Sequence, residues 1–162
     1  MNDERTIKLD RLRYTKNTTS SRLALLAIVF DVFFFVSIYK SDVGSYYYNI
    51  LIGASILYNL IFMLAAFLAS EGVKNYKMPY SYLLIALGVI QAARIFILPT
   101  RAHAAYITIK GASVQVMGDG QFIRVVLYLA ASALCCIAGA VINMQKSRAL
   151  AAHIASLQGQ KA

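Results

Sequence analysis

Four long runs of apolar residues, separated by short polar stretches, organise this chain. They cover residues 22–39, 47–69, 80–98 and 122–143. Inside them the apolar positions show neither the 3.6-residue recurrence of a surface helix nor the alternation of a half-buried strand; they run almost unbroken. A helix rises about 1.5 Å per residue, so roughly 20 residues cross a hydrocarbon layer about 30 Å thick. Each run is therefore predicted to be a membrane-spanning helix. The first is shortest, from Leu23 to Tyr39, and Ser20, Ser21 and Arg22 complete it. Pro79 precedes the third run and Pro99 follows it, as suits a residue that starts helices and cannot continue them.

The one long connection, 99–121, carries the strand signal. Tyr106-Ile107-Thr108-Ile109-Lys110 and Val114-Gln115-Val116-Met117 alternate, and Gly111-Ala112-Ser113 between them reads as a three-residue turn. A lone hairpin is marginal in water, so Ile107, Ile109, Val114 and Val116 are expected to rest on the helix ends or on another protein. After the fourth run, 144–158 reads as a helical extension with Leu150, Ile154 and Leu157 on one face, a stripe that wants a partner or a lipid surface. The fold class is thus an all-α membrane protein. A four-helix bundle forms a single membrane domain over 1–162, with a small extracytoplasmic β-hairpin between helices 3 and 4.

Composition agrees: hydrophobic residues make up 59% of the chain and charged ones 14%, whereas a soluble domain carries about 25% charged residues. The cations set the orientation. Eleven lie on the side of the termini: Arg5, Lys8, Arg11, Arg13, Lys16, Arg22, Lys74, Lys77, Lys146, Arg148 and Lys161. The other side has Lys40, Arg101 and Lys110, with Arg124 just inside the fourth run and able to reach the headgroups. The bias places both termini in the cytoplasm, and Tyr46, Tyr47, Tyr48 and Tyr80 at run ends suit the headgroup region. The net charge of +9 is thereby explained without nucleic acid. Asp31 inside the first run argues against a cleaved signal peptide. Asn17-Thr18-Thr19 matches a glycosylation acceptor but falls on the cytoplasmic side, where Asn17 is expected to cap the first helix. The basic N-terminal stretch reads as a topology determinant, with anionic headgroups as its other possible contact.

Inside the runs the polar residues are informative. Asp31 lies near the middle of the first, Asn59 of the second, and Gln91 and Arg94 share one face of the third. A charge at the centre of a spanning helix costs about 2.5–3.5 kcal/mol even on mild scales, so such residues face the bundle interior and find partners. From Arg22, Asp31 stands about 13 Å deep and, from Tyr80, Arg94 about 21 Å, a gap that a long arginine leaning back toward its helix start can close. An Asp31–Arg94 ion pair with Asn59 and Gln91 as hydrogen-bonding neighbours is expected, serving either as polar glue or as a proton relay. Small residues four apart, Ala131, Cys135, Gly139 and Ser132, Cys136, Ala140, predict close packing of the fourth helix, and some of Phe30, Phe33, Phe34 and Phe35 must face lipid.

Signatures of catalysis are missing. Cys135 and Cys136 are adjacent within a helix, His103 and His153 lie on opposite sides, and no metal cluster, phosphate-binding glycine loop or nucleophile–base combination occurs. No enzyme activity, cofactor or metal is expected. Two readings remain. One is a non-catalytic accessory subunit of a larger membrane complex, such as an ABC-type transporter, in a bacterial plasma membrane. The other is a small homo-oligomeric proton-coupled transporter centred on Asp31. Both have the lipid bilayer as partner, the first adding a hetero-complex within the membrane and the second a homo-oligomer.

Overall fold

The computed structural model describes residues 7, 10–38, 46–109 and 112–159, with backbone alone at 46–49, 51–52, 107, 109 and 112. Arg5, Lys8, Lys40, Lys110, Gly111 and Lys161, and the side chains of Tyr46, Tyr47, Tyr48, Ile107 and Ile109, lie outside the described residues. In chain order come α1 (Thr18–Ile38), α2 (Tyr46–Lys74), α3 (Met78–Arg94), α4 (Leu98–Ala104), β1 (Tyr106–Ile109), β2 (Ala112–Gln115) and α5 (Asp119–Gly159). Four helical stretches, α1, α2, α3 continuing into α4, and α5, are long and apolar enough to cross a membrane.

Several helix ends differ from the limits of the apolar runs, each for a local reason. α1 begins at Thr18, not 22, because Asn17 stands at its N-cap, with the Ser20 amide 3.5 Å from Asn17 Oδ1. α2 continues past 69 to Lys74 and ends on Tyr76, held at φ 57°. There the Lys77 amide bonds to the Gly72 carbonyl and the Tyr76 amide to Val73, both at 3.1 Å, the paired bonds that close a helix on a left-handed residue. Pro99 does not cap the end of a helix reaching 98. The α3 ladder stops at Arg94, and Pro99 lies in the first turn of α4. Proline has no N–H for the Ile95 carbonyl four residues back, and the Thr100 hydroxyl donates to that carbonyl at 2.7 Å instead. The fourth run and the tail form one continuous helix from Asp119 to Gly159, about 60 Å long.

α5 packs along both α1 and α3, α1 packs on α2, and α2 meets α3 less extensively, closing the bundle. The buried positions of α1 include Ser20, Ala24, Ala27, Asp31, Phe34 and Ile38, with Ser21 beside the first, and those of α5 include Val125, Leu129, Ser132, Cys136, Gly139, Asn143 and Ser147. Both series step by threes and fours, the spacing of a helix–helix seam. Most members are small. A Cβ built on Gly139 would lie 3.2 Å from the Ser20 carbonyl oxygen of α1, so the expected close packing of the small-residue face is intramolecular here. Phe34 is buried while Phe33 is half exposed, and Leu57, Leu64, Val89 and Leu134 also point outward, an apolar exterior compatible with lipid.

β1 and β2 pair antiparallel, with Tyr106 opposite Gln115 and Ile109 opposite Ala112. This register corrects the expected turn: Ala112 and Ser113 belong to the second strand, leaving only positions 110 and 111 between the paired residues. It also removes Val116 and Met117 from the strand. Both are buried, Met117 in a cluster with Ala102, Val125 and Leu129, while the Val116 amide donates to the Ala105 carbonyl at 3.0 Å. The hairpin base is fastened further by Gln115 Nε2, which donates to the His103 carbonyl at 2.6 Å, and by stacking of His103 on Phe122 with centroids 4.4 Å apart.

The closeness of α1 and α5 makes Gly139 sensitive. Gly139→Val is expected to lower the unfolding midpoint of the purified protein, with overpacking costing about 1–3 kcal/mol. An unchanged midpoint would show that the two helices do not depend on this contact.

Candidate functional site

Midway along the bundle, side chains from all four spanning helices meet in one polar layer. Asp31 of α1 is completely buried, and Arg94 of α3 approaches it with Nη1 3.1 Å from Oδ1. Gln91, one turn before Arg94 on the same face, serves both: its Nε2 donates to Asp31 Oδ1 at 2.8 Å and its Oε1 accepts from Arg94 Nη1 at 2.8 Å. Arg94 Nη2 donates to the Ser55 hydroxyl of α2 at 3.2 Å. From α5, Ser132 Oγ receives Gln91 Nε2 at 3.3 Å and donates to the Ala27 carbonyl of α1 at 2.9 Å.

The guanidinium is also placed over two aromatic rings, 4.6 Å from the centroid of Phe34 and 4.3 Å from that of Tyr58. With water excluded, such cation–π contacts contribute about 2 kcal/mol or more. The height mismatch between the partners is smaller than the apolar runs implied. α1 starts at Thr18 and α3 at Met78, so Asp31 and Arg94 stand thirteen and sixteen residues from their helix starts, about 5 Å apart in height. An arginine spans that distance easily.

The structure brings Asp31, Gln91 and Arg94 together, but not Asn59. Asn59 is buried, yet neither its amide nitrogen nor its oxygen has a hydrogen-bond partner among the described residues. Ser55, one turn earlier on the same face of α2, takes the expected place beside the arginine. Asp31 Oδ2 and the Tyr58 hydroxyl are likewise buried without hydrogen-bond partners among the described residues. Beside the layer, between α2 and α3, a cavity of about 220 Å³ is lined by Ser55, Tyr58, Ile90, Arg94 and Ile97.

A second polar layer, which the sequence reading did not anticipate beyond the cap at Asn17, lies toward the end of the bundle bearing the tail. Asn17 Nδ2 donates to Asn143 Oδ1 at 2.9 Å and to Ser20 Oγ at 2.8 Å, and Lys146 Nζ donates to Asn17 Oδ1 at 3.2 Å. Asn143 Nδ2 donates to Ser81 Oγ at 2.8 Å. The Ser21 and Ser70 hydroxyls meet at 3.0 Å, the Asn17 amide bonds to the Lys74 carbonyl at 2.9 Å, and Ser147 donates to the Tyr76 carbonyl. The available signal was spacing: Asn143 and Ser147 continue the seam of Ser132, Cys136 and Gly139 by threes and fours.

Of the remaining hairpin candidates whose side chains are described, Val114 is 44% exposed and Val116 8%, so of these two Val114 offers the outward surface. On the tail, Ile154 is exposed and Leu150 and Leu157 are partly covered. Their neighbour is the chain's own N-terminal segment: Arg13 lines a cavity with Ile154 and Leu157, and the buried His153 has Nε2 3.5 Å from Asp10 Oδ1. Both cysteines are free thiols.

Removing one partner of a buried ion pair strands the other charge, at a cost of about 3–5 kcal/mol. Asp31→Asn and Arg94→Gln are each expected to lower the unfolding midpoint in detergent, and the double variant to regain part of the loss because no lone charge remains. A double variant no better than the worse single one would rule out the coupling. Comparison with family models, curated proteins and solved structures finds no match to this chain, so its reading rests on the geometry.

Proposed function

We propose that the chain is a non-catalytic accessory subunit of a larger membrane complex, such as a transporter, lying in a bacterial plasma membrane with both termini in the cytoplasm. One observation carries this reading. Asp31, the sole carboxylate inside the four apolar runs, is engaged by Arg94 and Gln91 in a layer with hydrogen bonds from every spanning helix. Such cross-linking fixes helix register, and a group committed to it is poorly placed to exchange protons with water. The orientation follows the cation bias, which puts the hairpin outside. Val114 on the hairpin and Ile154 on the tail then supply exposed apolar contacts at opposite ends.

The experiment is purification of the tagged chain from its native host in mild detergent, with mass spectrometry of what co-elutes. A heterologous membrane protein should appear in stoichiometric amount and be lost on Val114→Lys or Ile154→Glu. Recovery of the chain alone would overturn the proposal.

The proton-coupled transporter keeps a foothold in Asp31 Oδ2, buried with no hydrogen-bond partner among the described residues, and in the cavity beside Arg94. This second reading predicts proton flux in proteoliposomes, driven by a substrate gradient and abolished by Asp31→Asn. Flux absent across a broad substrate panel would dismiss it.

A further inference from the structure

At the tail end of the bundle, the N-terminal segment, the end of α2 and the extension of α5 line a third cavity, of about 320 Å³. Its lining includes Arg13, Lys16, Lys74, Tyr14, Tyr76 and Leu150. Three cations thus share one concave surface with two tyrosines and two leucines, Leu12 and Leu150. Lys74 and Arg13 are already paired, with Glu71 at 2.9 Å and Asp10 at 3.3 Å, but these are half-exposed pairs three residues apart, of a kind that holds weakly. Lys16 is exposed and has no ion pair among the described residues. Tyr14 is 81% exposed, an arrangement that suits an aromatic ring among lipid headgroups.

The surface leading to this cup decides what would occupy it. Lys74 lies seven residues beyond Phe67, two turns along the same face of α2, and Leu60, Leu64 and Phe67 on that face are all more than half exposed. An apolar track on a spanning helix therefore leads, past the exposed Glu71 that pairs with Lys74, to a basic, tyrosine-lined hollow. That sequence, hydrocarbon then cation, mirrors an anionic phospholipid: acyl chains along Leu60, Leu64 and Phe67, phosphate among Lys16, Lys74 and Arg13. We propose that the cup is a binding site for the phosphate of an anionic phospholipid, held where the N-terminal segment crosses the end of α2. Basic pockets at helix ends are the recurrent way membrane proteins hold such headgroups. The site is independent of whether the chain serves a complex or transports.

The full chain, purified in neutral detergent, can be titrated with phosphatidylglycerol or phosphatidylcholine and followed by native mass spectrometry. One phosphatidylglycerol should be retained in preference to phosphatidylcholine. Lys16→Gln and Lys74→Gln should each weaken its retention by about fivefold, the share of one cation near a lipid surface. Arg148→Gln, on the exposed tail outside the cup, should leave it unchanged, and unfolding midpoints in phosphatidylcholine should match for all variants. Equal retention of the two lipids would overturn the proposal. So would an equal loss with Arg148→Gln, which would reduce the effect to diffuse charge. Glycerol phosphate competing as well as the lipid would assign the hollow to a free phosphate and overturn the lipid site.

Discussion

The rest of the bundle is arranged around a carboxylate and a guanidinium that have to meet in a medium hostile to both. Asp31 and Arg94 are each costly inside hydrocarbon, and neither helix could hold its charge there without the other. Their contact at 3.1 Å therefore fixes the height of α1 against α3 within the reach of one side chain. It fixes rotation too, because Gln91, one turn below Arg94, has to face the same carboxylate. Ser55 and Ser132 then draw α2 and α5 onto the layer, and Phe34 and Tyr58 cover the guanidinium with ring faces instead of water.

Around that layer the interior follows a rule opposite to that of a soluble bundle. Hydrocarbon outside rewards apolar side chains as well as the core does, so burial of leucine supplies little drive for helices to associate. What the interior gains is close approach and hydrogen bonding. One apolar cluster contains Ala24, Ala27, Ala66, Ala69 and Ala140, while the other contains Phe34, Met117, Val125 and Leu129. The polar layer lies between them on α1 and α5: Asp31 falls between Ala27 and Phe34, and Ser132 between Leu129 and Cys136. The Asn17–Asn143–Ser81 layer then closes the tail end. Two polar layers at different heights define register better than one, since a helix sliding by a turn would break both.

This inversion explains which features could be read from the sequence. The spanning helices were legible because length and lack of charge identify them without any periodicity, and Asp31 and Arg94 because their solvation cost demands a partner wherever they lie. Ser55, Ser81 and Ser132 were not, since a serine inside an apolar run costs little and has no obligatory partner. Asn17 and Asn143 stand at run ends, where polar residues are expected anyway, and only their mutual contact across the bundle distinguishes them from flanks. Asn59 was misplaced for a related reason: a central position in an apolar run does not fix a residue's height, and Ser55, one turn earlier on the same face, is the one that meets the arginine. Pro99 was read as a stop because its ring cannot continue a helix. The actual stop comes earlier, since the missing N–H acts on the Ile95 carbonyl four residues back. Alternation suggested that Val116 belonged to a strand, but the pairing ends at Gln115 and the following residues turn inward.

The division of labour within Asp31 bears on what the bundle can do. Oδ1 receives both Gln91 Nε2 and Arg94 Nη1, whereas Oδ2 has no hydrogen-bond partner among the described residues. A proton carried through this carboxylate would enter at Oδ2 and cancel its charge, leaving the Arg94 guanidinium without a counter-ion in the middle of the bundle. Any shift of α3 to relieve that charge would break the bonds of Gln91 to Ser132 and of Arg94 to Ser55, which tie α3 to α5 and α2. An accessory subunit needs no such step: its layer can stay closed while partners act on exposed residues such as Val114 and Ile154. The scaffold role proposed for the chain thus rests on the number of helices that one proton transfer would disturb.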